Sequence, residues 1–121
     1  MLRPILACQN PYETAHQLQS AGWSIDFSQP PESGDPLVGV SLFDNAVLLG
    51  VTEGYVTKGQ MPYLGSGAVF YLTVPCEHLA EVHRNHAPLH PSSIERQPWG
   101  DDAFEIKIAG YSFMIAGTPE S

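Results

Sequence analysis

Two stretches of this chain can be laid over each other without a gap. Leu37 to Gly50, LVGVSLFDNAVLLG, and Ala103 to Ala116, AFEIKIAGYSFMIA, match at a constant offset of 66 residues. Val38 meets Phe104, Val40 meets Ile106, Leu42 meets Ile108, Val47 meets Phe113, Leu48 meets Met114 and Leu49 meets Ile115. Each copy alternates up to a two-residue break, Asp44-Asn45 in the first and Ala109-Gly110 in the second, and then runs apolar. Period-two alternation around a tight break is the pattern of a strand, a hairpin turn and a strand. Any two hairpins share alternation, so the match alone does not prove duplication. The same offset also places Leu6 on Leu72, each just before a helix start, and that favours one unit used twice.

Taken in order, Arg3 to Gln9 reads as a strand. Asn10-Pro11-Tyr12-Glu13 then combines an N-cap residue, proline at the first helical position and an acidic first turn, so a helix starts there. Tyr12, Ala15, Leu18 and Gly22 recur at helical spacing, and Gly22 is a C-terminal stop. Trp23 to Phe27 resumes alternation, and QPPESGDP is a surface loop. The first hairpin follows. Glu53 to Gly67, with four glycines and one proline, is too broken for an element of its own and reads as a linker long enough to touch something. Ala68 to Val74 is a strand. A second helix runs from about Cys76 to His86, with Leu79 and Val82 as its apolar face. Ser93 to Trp99 is a further strand, and Gly100-Asp101-Asp102 turns the chain into the second hairpin. The whole is an α+β chain of two βαβββ modules in a single domain over residues 1–121. The first module covers about 1–54, the linker about 53–67 and the second module about 68–117.

The length of 121 residues suits one domain with a real core. No apolar run approaches the roughly 20 residues that span a bilayer, and the N-terminus lacks the segments of a signal peptide, so the expected location is cytoplasmic. Two cysteines, Cys8 and Cys76, are too few for a disulfide framework and form no CxxC pair; both read as buried thiols. A formal charge of -8 repels phosphate backbones and anionic membranes, which argues against nucleic acid and membrane partners. It serves solubility, and it would also attract a cationic small molecule.

In the order and spacing of its elements the chain resembles the vicinal oxygen chelate superfamily, also called the glyoxalase, bleomycin resistance and dioxygenase family. The resemblance covers nearly the whole chain and includes the closing Ala109-Gly110-Tyr111-Ser112-Phe113-Met114 hairpin. Where the family carries an Asp-Pro-x-Gly-Asn turn, this chain has Lys107-Ile108-Ala109-Gly110-Tyr111 and keeps only the glycine. The resemblance implies curled sheets around an open cup with the helices outside, and pairing as a homodimer. It also implies, for metal-dependent relatives, four ligands at cup-facing positions, which carried onto this sequence fall at about Arg3, Leu48, Val69 and Met114. None is a histidine, glutamine or glutamate, and a slip of one residue, to Pro4, Leu49, Ala68 and Phe113, supplies no donor either. No metal and no cofactor is expected in the family's usual place.

His78, His83, His86 and His90 lie close together, and His83 and His86 could share a helical face as a metal pair. Without a convincing third ligand they read as solvated or hydrogen-bonded surface histidines. Cys8 stands near a helix N-terminus, which could lower a thiol pKa, but a structural cysteine is the simpler reading. No Ser-His-Asp spacing or phosphate loop is present. The remaining candidates line a ligand pocket: Leu48, Val69, Tyr71 and Met114 by strand alternation, Tyr55, Met61 and Tyr63 from the linker, and Trp99 at a strand end. Glu53, Asp101 and Asp102 would form a negative rim. Aromatic faces grip flat or cationic ligands by stacking and cation–π attraction. The leading expectation is a metal-free binding protein that sequesters a hydrophobic, aromatic or cationic compound in a cup at a dimer interface, with possible antibiotic resistance. Two alternatives stay open: a metal-dependent lyase, isomerase or dioxygenase of the same fold, and a ligand-free structural or regulatory domain.

Overall fold

The duplication extends to the pairing of individual residues. The computed structural model describes residues 2–119. Its strands are β1 (Ile5–Cys8), β2 (Ser24–Gln29), β3 (Leu37–Leu42), β4 (Asn45–Val51), β5 (Val69–Thr73), β6 (Glu95–Arg96), β7 (Asp102–Ile108) and β8 (Tyr111–Gly117). Helix α1 (Pro11–Ser20) and helix α2 (Leu79–Asn85) each follow the first strand of a module. Two four-stranded mixed sheets result, in the orders β1-β4-β3-β2 and β5-β8-β7-β6. Val38 faces Leu49 and Val40 faces Val47 in the first; Phe104 faces Ile115 and Ile106 faces Phe113 in the second. The parallel pairs repeat as well, Leu6 with Leu49 and Leu72 with Ile115. The α+β fold of two βαβββ modules is thus the observed one.

The first hairpin turn lies at Phe43-Asp44, one residue before the expected Asp44-Asn45. Phe43 takes φ 52° and its counterpart Ala109 takes φ 53°, so the offset of 66 holds for the turn itself. Asn45 instead opens β4, where its amide donates to Leu42 O and, across the modules, to Thr73 O.

Helix α1 starts where its cap dictates. Asn10 is extended and its Oδ1 accepts from the backbone N–H groups of Tyr12 and Glu13, both at 3.1 Å, while Pro11 fills the first helical position. At the other end Trp23 N donates to Leu18 O and Gly22 N to Gln19 O, with Gly22 at φ 102°. This Schellman closure delivers Trp23 straight into the core. The second helix is shorter than expected: a 3-10 turn over Cys76–His78 precedes α2, whose buried face is Leu79 and Val82.

Four expectations change. The strand expected over Ser93 to Trp99 is only Glu95–Arg96, because Pro91 and Pro98 lack the N–H groups a ladder needs and Ser92 Oγ takes the bond from Glu105 N. The turn before β7 is Pro98 to Gly100, and Asp102 already belongs to the strand. The linker has an element after all, a 3-10 helix over Lys58–Tyr63 closed by a Thr57–Gln60 capping box. Cys8 is buried, but Cys76 is partly exposed rather than buried.

One core joins the modules. Val38, Val40, Val47 and Leu49 from the first sheet and Phe104, Ile106, Phe113 and Ile115 from the second are all buried in it. Trp23 meets the Phe113 ring edge-on at 5.9 Å, and Tyr111 Oη donates to Ala7 O. The opposite face of each sheet is left uncovered, with Ile5 60%, Val69 58% and Tyr71 42% exposed.

Candidate functional site

Strand alternation sends every second residue of β5, β7 and β8 away from the core. On the open face of the second sheet this gives successive rows: Val69, Ser112 and Lys107; then Tyr71, Met114 and Glu105; then Thr73, Ala116 and Ala103. Ala116 and Ala103 are buried although they lie on the open face, so larger groups cover them. Tyr71 is placed to do so, since its hydroxyl reaches past their row to the next, where Asp101 stands.

There Tyr71 Oη donates to Asp101 Oδ2 at 2.5 Å and accepts from Trp99 Nε1 at 2.8 Å, while Thr118 Oγ1 donates to Asp101 Oδ1 at 2.8 Å. The two rings are tilted by 60° with centroids 6.0 Å apart. Hydrogen bonds from Tyr71 and from Thr118 hold the Asp101 carboxyl below the ordinary carboxylate range. Burial first, and the bond to Asp101 second, push the Tyr71 phenol up. The network fixes the two aromatic side chains to each other and to Asp101 while leaving Trp99 60% exposed.

The sequence-derived site residues therefore divide. Tyr71, Trp99, Asp101 and Met114 come together on one face. Val69 is on the same face at its other end, in a cleft of about 370 Å³ that it shares with Tyr63, Lys107 and Ser112. Leu48 lies on the open face of the first sheet, beside Ile5. Met61 lines a different cleft, of about 360 Å³, against Asn10, Glu13 and Thr14 of the first module. Tyr55 and Glu53 project from the linker into solvent. Asp102 leaves the rim: it points to the other side of β7 and is ion-paired with Arg96, Nε to Oδ1 at 2.6 Å.

Two carboxylates were missed. Glu105 stands directly opposite Met114, and Glu95 opposite Ala103. Both border a cleft of about 280 Å³ with Met114, Ala103 and Gln97. The alternation of AFEIKI already placed Glu105 on the face of Met114, so period two applied to β7 would have found it. Glu95 was hidden because β6 is too short to show a period.

The histidines do not form a surface cluster. His86 is fully buried, contrary to the surface reading. Its Nδ1 must carry the proton, because that atom faces Val82 O at 2.7 Å, and its Nε2 accepts from Trp23 Nε1 at 2.9 Å. His83 bonds Ser92 O, and His78 stacks on Phe43. Among the described residues no three His, Cys, Asp or Glu side chains converge as a metal site would need. Burial pushes the Cys8 thiol up, away from a nucleophile's range.

No family model and no curated protein matches the sequence. Solved structures do match in fold. A bleomycin-binding protein complexed with bleomycin aligns with TM-score 0.69 and 16% identity, over 98% of this chain and 98% of that one. A member of the glyoxalase/bleomycin resistance protein/dioxygenase superfamily from Sphaerobacter thermophilus gives TM-score 0.69 and 16% identity, over 97% and 96%. A variant of the fosfomycin resistance protein FosX from Listeria monocytogenes, complexed with Mn(II) and 1S,2S-dihydroxypropylphosphonic acid, gives 0.68 and 8%, over 98% and 92%. The chain has the vicinal oxygen chelate fold. At the positions where the resemblance places the ligands of metal-dependent relatives, Leu48, Val69 and Met114 carry no oxygen or nitrogen donor and the Arg3 guanidinium is a cation, so those residues do not suit a divalent ion.

Proposed function

We propose that this chain, built on the vicinal oxygen chelate fold, is a metal-free binding protein that sequesters a small aromatic compound between the open sheet faces of two copies. One observation carries the reading: Trp99 and Tyr71 are held rigidly by Asp101 and Thr118 on a sheet face that the chain itself does not cover. A fixed, exposed aromatic pair beside a flexible thioether is suited to gripping a flat molecule. The clefts on this face are shallow, and that of about 280 Å³ is small for a drug-sized ligand, for which roughly 300–1,000 Å³ is usual. A second copy laid over the face would deepen it. The bleomycin complex of a protein with this fold supports a small molecule as the occupant.

The test is a thermal-shift screen of aromatic compounds with parallel metal analysis of the purified protein. A ligand at 100 times its dissociation constant stabilises by about 2.7 kcal/mol. Trp99→Ala should abolish that response and leave the unliganded melting temperature nearly unchanged, since the ring is largely exposed. A tightly held transition metal in each chain, or an intact response in the Trp99→Ala protein, would overturn the reading.

A further inference from the structure

The charge of the ligand can be read from which acidic groups at the site already have partners. Asp101 has both oxygens occupied, by Tyr71 and by Thr118, and Asp102 is neutralised by Arg96. Their charge is already engaged by these partners, so each attracts a charged guest less strongly than a carboxylate with no partner. Glu105 and Glu95 differ: among the described residues neither side chain is hydrogen-bonded, and Arg96–Asp102 is the ion pair found. Lys107 shares the open face one row away from Glu105 without pairing with it.

Resting on the binding function proposed above, we infer that the site selects an organic cation with a flat aromatic body. Its ring lies on the Tyr71–Trp99 pair, and its ammonium or amidinium group enters the cleft bordered by Glu105 and Glu95. Geometry and chemistry agree on this. Tyr71, Met114 and Glu105 share one row across three adjacent strands, about two strand spacings or roughly 10 Å, and the Tyr71 ring leans from that row toward Asp101, so the aromatic surface borders the row that holds the thioether and the carboxylate. That span is the length of a fused-ring cation. The aromatic faces attract the positive charge as well as the ring, and the carboxylates give the charge-assisted hydrogen bonds that a neutral analogue cannot make. The overall charge of -8 draws cations toward the surface and leaves the discrimination to these two residues.

The experiment uses 9-aminoacridine, a cation at pH 8, and acridine, its neutral counterpart there, read by fluorescence titration of the protein. The expected result is about tenfold tighter binding of 9-aminoacridine, a preference that declines with added salt. In Glu105→Gln with Glu95→Gln the two affinities converge while that for acridine stays constant, and an unchanged melting temperature confirms that the variant is folded. Equal binding of both compounds by the native protein, or a preference that survives the double substitution, overturns the charge assignment and leaves the aromatic site standing. Failure of both compounds to bind overturns the aromatic site itself, and the assignment with it.

Discussion

His86 has both ring nitrogens committed inside the core, one to a backbone carbonyl and one to the indole of Trp23, and so it ties the second module to the first. A second proton would have to sit on Nε2, turning an acceptor toward a donor. Burial lowers the pKa; the bond to Val82 O opposes this, and the neighbouring His83 adds to it. No carboxylate contributes to the shift. The unfolded chain therefore takes up a proton near pH 6.5 while the folded chain does so only at lower pH. Between those values the unfolded state binds more protons, so stability is complete above about 6.5 and falls as the pH drops through the window, by up to about 1.4 kcal/mol per pH unit. Urea unfolding across pH 5 to 8 should show this slope in the native protein, and His86→Gln should flatten it. A slope unchanged by the substitution would assign the acid sensitivity elsewhere. Nothing in the local sequence marked His86 as different from His83 or His90. Its partner is 63 positions away, and only the docking of the modules brings them together.

At the level of elements, what could be read from the sequence is what local chemistry decides. Helix α1 was legible to within two residues because Asn10, Pro11 and Gly22 each act on their own neighbours. The short β6 was not, because Ser92 and the two prolines remove ladder partners in a way that hydrophobic spacing does not record. The linker was legible as glycine-rich but not in its purpose. Gly65 lies against the β7–β8 turn: a Cβ there would come within 2.2 Å of Gly110 O, and Gly65 has φ 78°. Close backbone approach and left-handed geometry each require glycine. Gly65→Ala should therefore cost about 3 kcal/mol by clash and strain together. Gly59→Ala in the same linker meets nothing within 4 Å and should stay within about 0.5 kcal/mol. Chemical denaturation of the two variants decides whether the linker is docked; equal stabilities would mean that it is not.

For the whole molecule, the duplication explains both the fold and what the fold leaves unfinished. Matching apolar positions at an offset of 66 fill one shared core, so two modules that could not each enclose a core do so jointly. The price is that each sheet keeps a bare second face. On the first it carries Ile5, Leu37 and Leu48, with the Phe27 ring lying over Gly39; on the second it carries Val69, Tyr71 and Met114. These side chains were legible as a group from alternation, but the linker residues assigned with them were not, since a loop has no period to say which way it points. Apolar groups spread over two separate faces of one chain are what a two-fold partner can cover, because an isologous contact pairs the same surfaces twice. Ile5 tests this well. It is 60% exposed, so Ile5→Glu should change the stability of a single chain by no more than about 0.5 kcal/mol, yet it would place a charge in any interface formed on the first sheet. Light scattering on the eluted protein should find a dimer for the native chain and a folded monomer for the variant. The monomer should also lose the thermal response to aromatic ligands, because half of each cup would be missing. A native chain that elutes as a monomer, or an Ile5→Glu protein that still pairs, would place the binding face within one copy.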